Sequence, residues 1–235
     1  MFSCGRESGL SLRAYYYPLE DLGGPGKVYC YQGAISEQDP PFYWHLRKLE
    51  EDGKTYLEGM YYDYRFMPFQ YFKEEVFPNG TRLRAFHLYE YDSLGQQYEI
   101  PVKIEGGNVF PFQLKDTFAV LYTKLSWQNR LDENTGALIP DGQDPVSTTL
   151  IRNRQYAGDT TYVFGGNSYE AVRFYVRELV DVESEGHIEQ EYDGMEVYAR
   201  DLGLVFFQKN VTPEFKIAYR LEKVITYEDF QHKKE

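Results

Sequence analysis

Tight-turn pairs cut this chain into runs of aromatic and β-branched residues, and that alternation leaves few folds open. Asp52-Gly53, Asn79-Gly80, Asp141-Gly142 and Asp193-Gly194 are pairs that close two-residue hairpins, because Asn and Asp tolerate positive φ and Gly adopts it freely. Gly106-Gly107 and Gly165-Gly166 add two further breaks. Between the breaks lie residue types that fit a pleated, half-buried surface, with 23 Tyr and 16 Phe among 235 residues. Tyrosine joins an apolar ring to a polar tip, so it serves either face of a strand.

The pattern predicts strands over residues 12–17, 28–32, 43–49, 55–64, 70–77, 82–91, 97–104, 118–127, 148–156, 160–164, 169–182, 188–192, 196–199, 204–209 and 214–221. Over Phe66–Phe77, strict alternation puts Phe66, Pro68, Gln70 and Phe72 on one face. Pro68 cannot donate to a ladder, so it marks an edge, a bulge or a strand start. Long strands joined by tight turns read as an all-β fold: a strongly curved antiparallel meander or half-barrel. A short C-terminal helix is expected after Thr226, a capping residue, with Glu228 and Asp229 in its first turn and Lys233 and Lys234 at its end. The expected organisation is a flexible tether over 1–10, then one β-rich domain over 11–235 with a loop inserted at 130–146.

Several functions are argued against. The net charge of −12 repels phosphate backbones, so nucleic acid is not an expected partner. Two cysteines build neither a disulfide framework nor a four-cysteine zinc site. The histidines, His45, His87, His187 and His232, have no zinc-enzyme spacing. His187 lies near Glu183, Glu185 and Glu189, an acidic hairpin end more readily than a divalent-metal site. No Gly-x-Ser-x-Gly elbow is present. No catalytic residue, cofactor or metal is therefore expected, and Cys30 reads as a buried, inert strand thiol.

The densest aromatic stretch offers a candidate ligand or partner surface: Tyr61, Tyr62, Tyr64, Phe66, Phe69 and Tyr71. The competing reading is that these rings fill the concave side of a curved sheet.

Three resemblances bear on location. Phe2-Ser3-Cys4-Gly5 resembles the end of a bacterial lipoprotein signal of the kind used by Bacteroidetes, which implies lipidation of Cys4. The small and polar residues Gly5 to Gly9 then suit a tether. Asp92-Ser93-Leu94 and Asp159-Thr160-Thr161 resemble the O-glycosylation acceptor of Bacteroidetes periplasms, with Ser93 and Thr160 as acceptors. In the last third, Tyr169-Glu170-Ala171-Val172 and Tyr198-Ala199-Arg200-Asp201-Leu202-Gly203-Leu204-Val205 resemble uncharacterised periplasmic or outer-membrane lipoproteins of LolA-like curved-sheet fold. Arg200 and Asp201 replace the Pro-Gly of that family's turn.

Together these imply a non-catalytic, lipid-anchored protein of the outer membrane, on its periplasmic or extracellular face. Its expected role is a binding or scaffold subunit of an envelope assembly linked to protein export, with an envelope protein as partner. The main alternative is a carrier of a lipid or other hydrophobic ligand in a β-sheet cavity. The third is a carbohydrate-binding or carbohydrate-active protein.

Overall fold

The computed structural model describes residues 9–36, 38–129, 131, 137, 139, 146–183 and 186–234. The strands are β1 (Leu10–Ser11), β2 (Lys27–Gly33), β3 (Phe42–Glu51), β4 (Lys54–Tyr62), β5 (Pro68–Phe77), β6 (Gly80–Tyr91), β7 (Gln97–Pro101), β8 (Lys103–Pro111), β9 (Gln113–Leu114) and β10 (Val120–Gln128). They continue with β11 (Ser147–Phe164), β12 (Asn167–Glu183), β13 (His187–Ala199), β14 (Gly203–Asn210) and β15 (Lys216–Thr226), followed by helix α1 (Tyr227–Gln231).

Each long strand pairs antiparallel with its neighbour in sequence, and β15 pairs with β2 to close a twelve-stranded up-and-down barrel. The all-β architecture with its C-terminal helix is as the sequence predicts, and its curvature goes on to full closure. Closure removes the unpaired edges that an open sheet leaves exposed. β7 and β8 act as one interrupted strand, because Val102 between them still donates its N–H to the Phe86 carbonyl at 3.0 Å.

Three of the predicted turns close hairpins: Asp52-Gly53 (φ 50° and 72°), Asn79-Gly80 and Gly165-Gly166 (φ 56° and 81°). Asp193-Gly194 does not turn. It runs through the middle of β13, where a Cβ on Gly194 would lie 2.3 Å from the Gln208 carbonyl oxygen, so this glycine allows close strand approach. Gly106-Gly107 likewise stays in β8, beside a register shift in its pairing with β10. The runs 148–156 and 160–164 are one strand, β11, with an irregularity at Gly158 (φ 100°). Asp141-Gly142 lies outside the described residues.

The largest correction concerns the first predicted strand. Residues 12–17 do not join the sheet. Leu10–Ser11 pairs briefly with β9, Arg13–Tyr15 forms a 3-10 turn, and Leu19–Leu22 forms another. This segment enters the barrel as a plug. Leu12 and Leu22 are fully buried, and Tyr16 nearly so. Its apolar residues show period-2 spacing but meet aromatic rings instead of a strand partner. Tyr16 packs on Phe110 and Phe112, with centroids 5.4 and 5.5 Å away, and Tyr17 packs edge-on against Tyr29 at 5.4 Å. Phe110 continues to Phe174 and Tyr198, and Phe42 stacks on Tyr31, so the interior around the plug is an aromatic core. The hydroxyl of Tyr31 donates to the Leu204 carbonyl at 2.7 Å, which satisfies a polar tip inside the core.

The outer wall carries ion pairs: Arg47–Glu58 at 2.7 Å, Arg84–Glu75 at 2.6 Å, Lys124–Glu105 at 2.9 Å, and Arg177–Glu191. The same wall also exposes Val120, Tyr122 and Tyr175. One outer patch is apolar and covered: Phe230 of α1 sits over Val28 and Cys30, flanked by Tyr43, Tyr62 and Phe66. Thr226 caps the helix by accepting the Asp229 N–H at 3.1 Å. Docking on this patch holds a helix too short to persist alone.

Candidate functional site

The up-and-down path sorts the connections to two ends. At one end are the tight turns after β3, β5, β11 and β13, together with the plug. The chain enters here: Leu12 donates its N–H to the Phe112 carbonyl, and the Asp201 N–H donates to the Ala14 carbonyl. At the other end are the longer connections after β2, β4, β6, β10, β12 and β14. The first is the plugged end and the second the loop end.

The loop end exposes large apolar side chains on successive connections and strand ends. Ile35, Tyr64, Phe69, Leu94, Ile188 and Phe215 all stand in solvent there. An open cleft of about 740 Å³ runs along this rim, lined by Met67, Phe69, Tyr89, Tyr91 and Leu131, with Arg65 at its edge. Exposed apolar groups sharing one rim make it a candidate contact surface; at the plugged end Phe118, on the connection before β10, is exposed.

Inside the barrel toward the loop end is a charged layer. Glu178 accepts from Arg152 and pairs with Lys209 at 2.9 Å. Burial opposes ionisation of this carboxyl, but the Arg152 and Lys209 charges outweigh it and hold its pKa at about 2. Deeper, Arg154 forms a two-pronged pair with Glu196, at 2.8 and 3.2 Å, and the Tyr198 hydroxyl donates to the same carboxylate at 3.0 Å. Burial again opposes the Glu196 charge, and Arg154 reverses it, so the carboxyl is pushed down overall. Glu74 differs. It is fully enclosed, its partners are the Tyr16 and Thr81 hydroxyls, and burial pushes its pKa up.

The predicted aromatic surface divides into three. Tyr61 points inward and packs against Phe42 and Trp44. Tyr62 and Phe66 face outward beneath Phe230. Tyr71 is also outward and donates to Glu58 at 2.7 Å. Tyr64 and Phe69 are exposed at the loop end. Phe66 therefore does not share a face with Gln70 and Phe72. The reason is a turn in which Asp63 Oδ1 accepts the N–H groups of Arg65 and Met67, and Phe66 adopts φ 62°. Pro68, as a strand start, opens β5.

Ser93 lies on the exposed turn after β6, where Asp92 accepts the N–H groups of Leu94 and Gln96. Thr160 is half-buried within β11, paired with Ala171. Cys4 lies outside the described residues. Cys30 is buried, and burial pushes its thiol pKa up. Asp181, Glu183 and His187 come together at the end of the β12–β13 hairpin, their candidate ligand atoms within 4.8 Å of one another. Glu183 and His187 are exposed and Asp181 is half-buried, with its Oδ1 3.1 Å from His187 Nδ1.

Sequence reasoning missed the plug and the inward charges. Arg152 and Arg154 alternate within an otherwise core-like run, and that spacing was the available signal for charge inside the barrel.

These features define a β-barrel with an aromatic core, one plugged end and one loop-bearing end. No family model matches the sequence, and no curated protein matches it. Solved structures do match. The chain is similar to a "putative lipoprotein" from Parabacteroides distasonis, at 12% identity over 89% of this chain and 97% of that one, with a TM-score of 0.51. It is also similar to a "putative exported protein with YmcC-like fold" from Bacteroides fragilis, at 12% identity over 89% and 98%, with a TM-score of 0.50. At this identity the likeness is one of fold. The fold name it brings is YmcC-like; neither structure bears the LolA-like label that the Tyr198–Val205 resemblance implies.

Proposed function

We propose that this chain is a non-catalytic envelope protein, anchored by lipid at Cys4 to the outer membrane, that binds a partner protein with its loop end. One observation carries the reading: the chain enters at the plugged end, opposite the rim that exposes Ile35, Tyr64, Leu94 and Phe215. An anchor at residue 4 then holds the plugged end toward the membrane and turns the rim away from it. Two neighbours in fold, described as a lipoprotein and as an exported protein, support the compartment. The aromatic core around the plug supports a scaffold over a LolA-like lipid carrier, which needs a hollow apolar barrel. Acidic connections around the rim, such as Asp39, Asp63, Asp92 and Glu214, suit a basic partner.

The test is expression of the full chain in a Bacteroidetes host, with native mass spectrometry of gently solubilised membranes. Wild type is expected to carry an acyl mass and to retain a second protein. Cys4→Ser is expected to lose the acyl mass and leave the membrane fraction. Leu94→Asp with Phe215→Asp is expected to keep the anchor and lose the partner. A soluble, unmodified wild-type monomer overturns the reading.

A further inference from the structure

The inner wall near the loop end contains a cavity of about 170 Å³, lined in part by Arg152, Val176, Glu178, Tyr192, Phe207 and Lys209. These residues come from the adjacent strands β11 to β14 and share one face, because Arg152 is opposite Glu178, Glu178 is opposite Tyr192, and Gly194 is opposite Lys209.

The order of charges within the cavity decides what it presents. Two lining carboxylates are behind, the side chains of Glu178 and Glu196 being 9% and 11% exposed; the third lining acid, Asp193, is exposed and lies opposite Arg177 of β12. The cations are in front: the side chains of Arg152 and Lys209 are 35% and 34% exposed. Glu178 holds both cationic heads in place while its own oxygens are turned away from solvent. Lys209 Nζ also sits 3.8 Å from the centroid of the Tyr192 ring, which fixes it further. Behind them Arg154 adds a third cation against the second carboxylate. An acidic protein thus keeps two ordered, partly open cations at the mouth of its barrel, over a floor of Phe207 and Val176.

We propose that this cavity is a binding site for a compact oxyanion, a carboxylate or phosphate group carried on a ligand no larger than a small ring. Arg152 directs Nε and Nη2 at Glu178, which leaves Nη1, beside the Lys209 ammonium, as the donor and charge for an oxyanion. The volume is below the roughly 300–1,000 Å³ of drug-sized sites, which limits the bound part to a headgroup. The lining residues lie in the loop-end halves of β11 to β14, so the rest of a larger ligand would extend toward that end. The proposal is independent of the lipid anchor and of the identity of any partner protein.

The experiment is calorimetric titration of the full chain at low ionic strength with inorganic phosphate and, separately, with glutarate. Amide NMR shifts locate the binding. Binding of either anion at about 10 mM or below is expected, with shifts centred on Tyr192, Gly194 and Lys209. Phosphate alone points to a phosphorylated ligand and glutarate alone to a carboxylated one; both outcomes support the site. Lys209→Gln and Arg152→Gln are each expected to weaken binding by at least about tenfold. Lys209→Gln leaves the Arg152–Glu178 pair intact, so it remains informative if Arg152→Gln unfolds. Lys216→Gln, an exposed cation outside the cavity, is expected to change nothing. Failure of both anions to bind, or an equal loss in Lys216→Gln, overturns the proposal.

Discussion

The Tyr16 hydroxyl donates a 2.8 Å hydrogen bond to Oε2 of Glu74, and this bond ties the N-terminal plug to the barrel wall. Both groups are enclosed, so neither can exchange its partner for water. Tyr16→Phe removes the donor and leaves the carboxyl with Thr81 as its remaining hydroxyl partner. The expected cost is about 1–3 kcal/mol, the penalty for a buried acceptor that loses a bond. Urea unfolding checks it: the midpoint falls while the slope stays constant. An unchanged midpoint would show that the plug is held by ring packing alone.

Glu74 also sets a pH dependence. Burial raises its pKa above the ordinary 4.5, against the opposing pull of Tyr16, Thr81 and Arg154. The folded state therefore holds this proton more tightly than the unfolded state. Its contribution to stability is fully present below the unfolded pKa of 4.5 and is lost as pH rises through the folded value. Glu74→Gln keeps an acceptor for Tyr16 and has no proton to lose. The variant is expected to gain stability over wild type as pH rises from 4.5, with no gain below it. Parallel stability curves for the two proteins would refute the assignment, since every other titrating group is shared.

The hairpins were legible wherever a turn pair left the chain no alternative. Asp52-Gly53 and Gly165-Gly166 each place two consecutive residues at positive φ, and local chemistry alone selects that conformation. Asp193-Gly194 has the same composition and lies mid-strand, because what matters there is the approach of the Gln208 carbonyl, a tertiary fact. The plug was hidden for a related reason. Leu12 and Tyr16 would suit a strand, and only the space inside a closed barrel makes them a stopper. Of the candidate site, the exposed rim residues Tyr64 and Phe69 were legible as unusual aromatics. Their separation from Tyr62 and Phe66 depends on the turn fixed by Asp63.

The Arg154–Glu196 pair tests what buried charge contributes. Replacing one partner strands the other in the core, so Arg154→Met or Glu196→Leu alone is expected to cost about 3–5 kcal/mol. The Arg154→Met/Glu196→Leu double variant removes both charges and is expected to recover most of that loss. The Tyr198 hydroxyl, which then loses its 3.0 Å bond to Glu196, sets a residual cost of about 1 kcal/mol. A double-mutant cycle by chemical denaturation measures the coupling directly. Simple additivity of the two losses would mean that the pair does not act as a unit.

Phe230 is fully buried on the outer wall and covers Cys30, which is 4% exposed. Truncating the ring removes the main apolar contact of a five-residue helix, and Phe230→Ala is expected to cost about 3–5 kcal/mol or to release the helix from the wall. The two outcomes separate in the thiol. In wild type, burial both shields Cys30 and pushes its pKa up against the opposing charges of Lys233 and Lys223. Release exposes the sulfur and leaves those lysines free to favour the thiolate, so reaction with a disulfide reagent speeds up under native conditions. A helix that stays docked over the new cavity lowers global stability while labelling remains slow. With Cys4→Ser as the background, fast labelling while Phe230 is intact would contradict the packing of α1 on β2 altogether.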